Sequence, residues 1–149
     1  MAALLDVNGL ISLVDADHVA HMAMRRWFNA HWKSGWATCP LTENGMVRVL
    51  SQPAYPSGQR TPAEVIQILN VLKESFAEAY SFWADDASLT DRTLFNASLL
   101  AGARQVTDIY LIGLAVRKKG MLVSFDRSLV WHAVKGGSAR FVHLLDIVP

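Results

Sequence analysis

Two short apolar runs in this chain each stop on an aspartate. Ala2 to Leu5 is followed by Asp6, and Met121 to Phe125 by Asp126. Apolar runs of this length, bounded by polar residues, suit strands buried on both faces. Helix signals lie between them. Thr61-Pro62-Ala63-Glu64 has the form of a capping box with proline at the first helical position. Lys118-Lys119-Gly120 has the form of a helix stop, with cations in the last turn and glycine after it. Buried strands alternating with helices predict an α/β fold with a mostly parallel sheet. Sites in such sheets lie at the carboxyl ends of the strands, where both aspartates fall.

The same reasoning lays out the rest of the chain. Strands are expected at Ala2 to Leu5, Trp36 to Thr38, Ala79 to Trp83, Met121 to Phe125 and Phe141 to Leu145, about five in all. A short helix is expected over Leu10 to Val14. Asp17 is the expected N-cap of a second, with Val19, Met22, Ala23, Trp27 and Ala30 at helical spacing and an end near Ser34-Gly35. A third begins at Pro40-Leu41 and turns Met46, Val47, Val49 and Leu50 to the core. Gln52 to Pro62 is a loop, Thr61 caps a fourth helix, and Asp85 to Ser88 is a turn. Leu89 to Ala103 is expected to be helical, interrupted by Asn96 and Gly102. Thr107 is the expected cap of the last helix. No repeat or long linker divides the chain, so residues 1–149 are expected to form a single domain.

Composition narrows the function. The net charge of +1 gives no overall field for nucleic acid, so any RNA must be met by a local patch. The single cysteine, Cys39, excludes an intrachain disulfide and a Cys-rich zinc site, and its apolar setting predicts a buried thiol. No segment approaches the roughly 18–20 apolar residues of a membrane span. The N-terminus lacks a basic region before its apolar run, which is not the pattern of a signal peptide. A cytoplasmic protein is the expectation.

Two further acids belong with Asp6 and Asp126. Glu43 falls in the first turn of the helix after the second strand, and Asp108 in the first turn of the last helix. The expected topology can gather all four at one edge. Such a cluster repels itself, so at least one member should have a raised pKa. It suits a hard divalent ion such as Mg²⁺, which takes oxygen ligands and assists phosphodiester cleavage. Taken singly, Glu43 and Asp108 also suit simple helix-dipole roles, and Asp6 and Asp126 suit turns.

The set resembles the PIN-domain nucleases, and within them the VapC-type toxins of bacterial toxin–antitoxin pairs. Leu4-Leu5-Asp6-Val7-Asn8-Gly9-Leu10-Ile11 looks like the family's opening strand, with its first metal-binding Asp and neighbouring Asn. His18-Val19-Ala20-His21 is similar to the segment that follows in one VapC subgroup. Thr42-Glu43-Asn44-Gly45-Met46-Val47-Arg48 is similar to the second motif, whose Glu is catalytic. Thr107-Asp108-Ile109-Tyr110-Leu111 resembles the third, with its Asp as metal ligand, and Ser124-Phe125-Asp126-Arg127 the fourth. Gly9 departs from the pattern, where a larger apolar residue is usual. The resemblance implies a three-layer α/β/α fold, a homodimer, Mg²⁺- or Mn²⁺-dependent cleavage of RNA such as tRNA or rRNA, and inhibition by a VapB-type antitoxin.

On this reading Asp6, Asp108 and Glu43 form the metal shell, directly or through water, with Asp6 and Asp108 as ligands and Asp126 completing it. Asn8, Thr107 and Ser124 are candidates to orient ligands or substrate. Arg48, Arg92, Arg104 and Arg127 are candidates for phosphate contact. Trp27 and Trp83 are expected in the core. The histidines do not form a metal set. Two other readings stand beside this one: a catalytically silent PIN-like module that binds RNA or protein, and another Mg²⁺-dependent phosphohydrolase.

Overall fold

The computed structural model describes residues 1–147. Its element order is β1 (Ala3–Leu5), α1 (Val7–Val14), α2 (His21–His31), β2 (Trp36–Thr38), α3 (Pro40–Leu50), α4 (Pro62–Ser75), β3 (Tyr80–Phe82), α5 (Val106–Arg117), β4 (Met121–Ser124) and β5 (Val142–Leu144), with short 3₁₀ turns between. The five strands form one sheet in the order β3-β2-β1-β4-β5. Every pairing is parallel.

Strand alternation divides the core in two. Ala3, Leu5, Trp36 and Val123 face one side, against Leu10, Met24, Phe28, Met46, Val65 and Leu69 of α1–α4. Leu4, Ala37 and Leu122 face the other, against Ile109, Ile112 and Leu114 of α5. The result is three layers, α/β/α, with period-two side chains feeding both cores. Trp27 and Trp83 are buried, as is the Cys39 thiol.

Local chemistry explains the boundaries. Thr61 Oγ1 accepts from Glu64 N at 3.1 Å, and Glu64 Oε2 accepts from Thr61 N at 3.3 Å, which is the expected reciprocal cap. After α5 the left-handed position is taken by Lys119, with φ of 56°. Gly120 is needed for closeness instead: a Cβ there would lie 2.5 Å from the Trp83 ring and 2.6 Å from Ala2 O. Among the described residues, no helix is long and apolar enough to cross a membrane.

Three local expectations are corrected. Asp17 does not cap α2, which begins after Ala20. The chain turns there because buried Asp15 accepts from Tyr55, Ser57 and the Asp17 N–H, fixing residues 15–20 as turns. Val19 and Met22 are therefore exposed, at 77% and 73%, and the core face is Ala20, Met24, Trp27 and Phe28. Residues 89–103 are not an α-helix but turns and short 3₁₀ segments. Phe95 pairs as an isolated antiparallel bridge with Val134, which competes with helical hydrogen bonding. Thr107 is inside the first turn of α5, whose N-cap residue is Gln105.

Candidate active site

The strand order reverses direction between β1 and β4. The chain steps outward from β1 through β2 to β3, then returns to add β4 and β5 on the opposite side. Such a switch opens a crevice at the carboxyl ends of its two central strands. Asp6 directly follows β1 and Asp126 lies two residues past the end of β4. The Asp6 N–H donates to Val123 O at 3.3 Å, pinning Asp6 against β4.

Asp6 is buried and caps α1, its Oδ1 accepting from Gly9 N at 2.6 Å. Burial pushes its pKa up to about 6; hydrogen bonds from Ser124 and Gly9 oppose the rise, and the charges of Asp108 and Asp126 add to it. Asp108 sits in the first turn of α5. Its pKa is also raised, by burial and then by the charge of Asp126. The three aspartates thus act on one another electrostatically, and the expectation of a raised carboxylate pKa holds at two of them. Asp108 and Asp126 line one cavity of about 250 Å³ with Arg104, Gln105 and Ser128. Asp126 is exposed, its Oδ1 accepting from Ser128 N and Oγ at 2.8 and 2.6 Å.

Among the described residues, no Lys, Arg or His nitrogen lies within 4.0 Å of the carboxylates of Asp6, Asp108 or Asp126. A buried carboxylate with two acidic neighbours and no cationic partner carries an uncompensated cost. In charge and donor type this oxygen set fits a hard divalent cation. Among the described residues, no three His, Cys, Asp or Glu side chains form a group that could hold a metal ion.

Glu43 is engaged by partners of its own. Its Oε2 accepts from Thr38 Oγ1 at 2.5 Å and pairs with Lys73 Nζ at 2.7 Å. Thr38 Oγ1 also meets Tyr80 OH at 2.7 Å, and Lys73 Nζ lies 5.4 Å from the Tyr80 ring centroid. Burial works against the Lys73 ammonium, but Glu43 and Tyr80 outweigh it and hold its pKa above the ordinary lysine value. Lys73 was missed in the sequence. Its signal was a cation at i+4 from Leu69, on the stripe that α4 turns inward. The pair is largely shielded, with side-chain exposures of 24% and 19%. Comparing Lys73→Met, Glu43→Gln and the double variant by urea unfolding should give a coupling of about 1–2 kcal/mol. Strictly additive losses would mean that the pair contributes nothing.

The other candidates fall as follows. Ser124 is buried; it assists Asp6, and its hydroxyl accepts from Asp126 N at 3.0 Å. Arg48 and Thr107 line a second cavity of about 270 Å³ with Val7 and Asn44, between α1, α3 and the start of α5. Asn8 is exposed beside Asp6. Gly9 fits closely, since a Cβ there would lie 3.0 Å from Asp6 Oδ1. Arg104 lines the acid cavity, whereas Arg127 is paired with Asp146.

A parallel three-layer sheet with carboxylates at its switch point defines a class of α/β proteins whose ligand site lies at that edge. Comparison with known proteins narrows the class. No family model matches the chain. The ribonuclease VapC44 of Mycobacterium tuberculosis is 41% identical over 146 residues, covering 97% of this chain and 100% of that protein. VapC39 of the same organism is 40% identical over 136 residues, covering 91% and 96%. VapC38 is 43% identical over 124 residues, covering 83% and 84%. A chain from the crystal structure of VapBC2 from Rickettsia felis, bound to a DNA fragment from their promoter, aligns with a TM-score of 0.61. That alignment covers 98% of this chain and all of the other at 11% identity, a likeness of fold alone. The chain belongs to the VapC ribonuclease family.

Proposed function

We propose that the protein is a divalent-metal-dependent endoribonuclease, the toxin of a toxin–antitoxin pair, formed as one PIN-like domain over residues 1–149. The observation that carries the reading is Asp6. It is a buried carboxylate at the switch point with its pKa raised to about 6, two aspartates acting on it and, among the described residues, no cation within 4.0 Å. End-to-end similarity to ribonuclease VapC44 supplies the reaction class.

Asp6 and Asp108 would hold Mg²⁺ or Mn²⁺, with Asp126 completing the set once it releases Ser128. When bound, such an ion lowers the pKa of water and neutralises charge on phosphoryl oxygens. Ser124 fixes Asp6 and the Asp126 backbone together. Glu43 has its charge balanced by Lys73 and is held to β2 by Thr38, so it serves the edge of the site nearer β2. Arg48, in the cavity with Thr107, and Arg104, in the cavity with Asp108, would meet RNA phosphates. The partners that follow are an RNA substrate, a VapB-type antitoxin and a second copy in a homodimer, in the cytoplasm.

The test is cleavage by the purified chain of RNA, DNA and a small phosphate ester, each with Mg²⁺, Mn²⁺ or EDTA. Cleavage of RNA alone, abolished by EDTA, is the expected result. Hydrolysis of the ester without RNA cleavage would move the protein to another phosphohydrolase class.

A further inference from the structure

A third cavity, of about 520 Å³, is lined by Arg92, Lys135, Thr90, Asn96 and Ser98 among others. Its lining is mixed, with Leu89, Phe95 and Ala97 beside the polar side chains; its charged residues are both cations, and among the described residues no carboxylate lines it. The nearest acid in sequence, Asp91, is already engaged by Thr93 and Arg117. Among the described residues, neither Arg92 nor Lys135 has a carboxylate within 4.0 Å. Cations elsewhere on the α5 side do: Arg117 and Lys118 pair with Asp86.

The walls are fixed rather than loose. Asn96 N donates to Ala133 O at 2.8 Å, and Lys135 N donates to Leu94 O at 2.7 Å, on either side of the Phe95–Val134 bridge. Phe95 is buried against Gly113 of α5, the helix that carries Asp108. From Ser98 the chain runs on to Arg104 and Gln105, which line the acid cavity, and Ala101 N is held by Gln105 Oε1 at 3.3 Å. One short segment thus runs from this cavity to the acid cavity.

We infer that Arg92 and Lys135 form a phosphate subsite for the substrate strand, gripping an RNA phosphate away from the scissile one. The inference rests on the ribonuclease reading for its choice of ligand. Two cations in one recess supply charge-assisted contacts to a phosphodiester, with Thr90, Asn96 and Ser98 lining it as further hydrogen-bonding groups. Arg104 continues the cationic track toward the acids.

The test has a binding arm and a cleavage arm. Binding of a fluorescein-labelled single-stranded RNA oligonucleotide is measured in EDTA over a range of salt. Arg92→Ala/Lys135→Ala should weaken binding by about tenfold or more and flatten the salt dependence by about 1.4, since each lost single-strand contact removes about 0.7 from the slope. Arg25→Ala/Arg26→Ala, on the exposed face of α2, is the control and should change little. Equal losses in both pairs, no loss at Arg92 and Lys135, or no RNA binding by the unsubstituted chain would overturn the subsite. In Mg²⁺, the same double variant should raise KM with kcat held within about twofold. Absence of cleavage by the unsubstituted chain would count against the ribonuclease reading and leave the binding result to decide the subsite.

Discussion

Asp6→Asn is expected to abolish RNA cleavage and, at the same time, to raise the melting temperature of the metal-free protein. The two effects have one cause. Burial lifts the Asp6 pKa from 3.8 to about 6 in the folded chain. Between those values the folded state holds a proton that the unfolded state has released. Stability therefore falls as pH rises through that window, and above pH 6 the cost is fully present. A shift of this size corresponds to about 3 kcal/mol. Asparagine does not titrate, and its Oδ1 can still accept from Gly9 N to cap α1. After allowing for altered contact with Ser124, a gain of about 1–2 kcal/mol at pH 7.5 in EDTA is expected, or several degrees in Tm. At pH 4 the gain should vanish. Cleavage should fall by at least about a thousandfold, because one ligand of the proposed site is gone. A variant that cuts RNA normally, or is destabilised at pH 7.5, would contradict this.

Gly113→Val is expected to destabilise the fold by overpacking the α5 core. A Cβ at this position would lie 2.2 Å from Phe95 Cζ and 2.4 Å from Cε1. Phe95 is 3% exposed and stacks on Tyr110, so its ring has little room to retreat. Forcing carbon into such a site costs about 1–3 kcal/mol. Replacing glycine inside a helix returns less than about 1 kcal/mol. A net loss of about 2 kcal/mol follows, read as a lower urea midpoint. The mechanism predicts a change of sign: in a Phe95→Ala background the same substitution should be neutral or stabilising, because it fills the space left by the ring. Additive losses would mean that the Phe95 contact is not what Gly113 serves.

Much of this was legible in the chain. Asp6 and Asp126 were readable because a buried strand must end in apolar residues and a parallel sheet puts its sites just beyond them. Thr61-Pro62-Ala63-Glu64 and Lys118-Lys119-Gly120 were readable because capping chemistry is local. The failures share the opposite property. The start of α2 depends on Asp15 meeting Tyr55 and Ser57 on the loop between α3 and α4, a contact no short window contains. Residues 89–103 carry helical spacing, yet the Phe95–Val134 bridge and the seat at Gly113 prevail over it. Glu43 was placed with the aspartates because its helix starts at the right edge. Its pairing with Lys73 depends on how α3 and α4 pack. Sequence located the acids along the chain, and tertiary contacts gave each its own partners.

Titration calorimetry of Mn²⁺ into the unsubstituted chain, Asp6→Asn and Asp108→Asn at pH 7.5 tests the central claim most directly. The account predicts uptake by the unsubstituted chain and loss of that uptake in both variants. No uptake by the unsubstituted chain, or undiminished uptake in either variant, would contradict it.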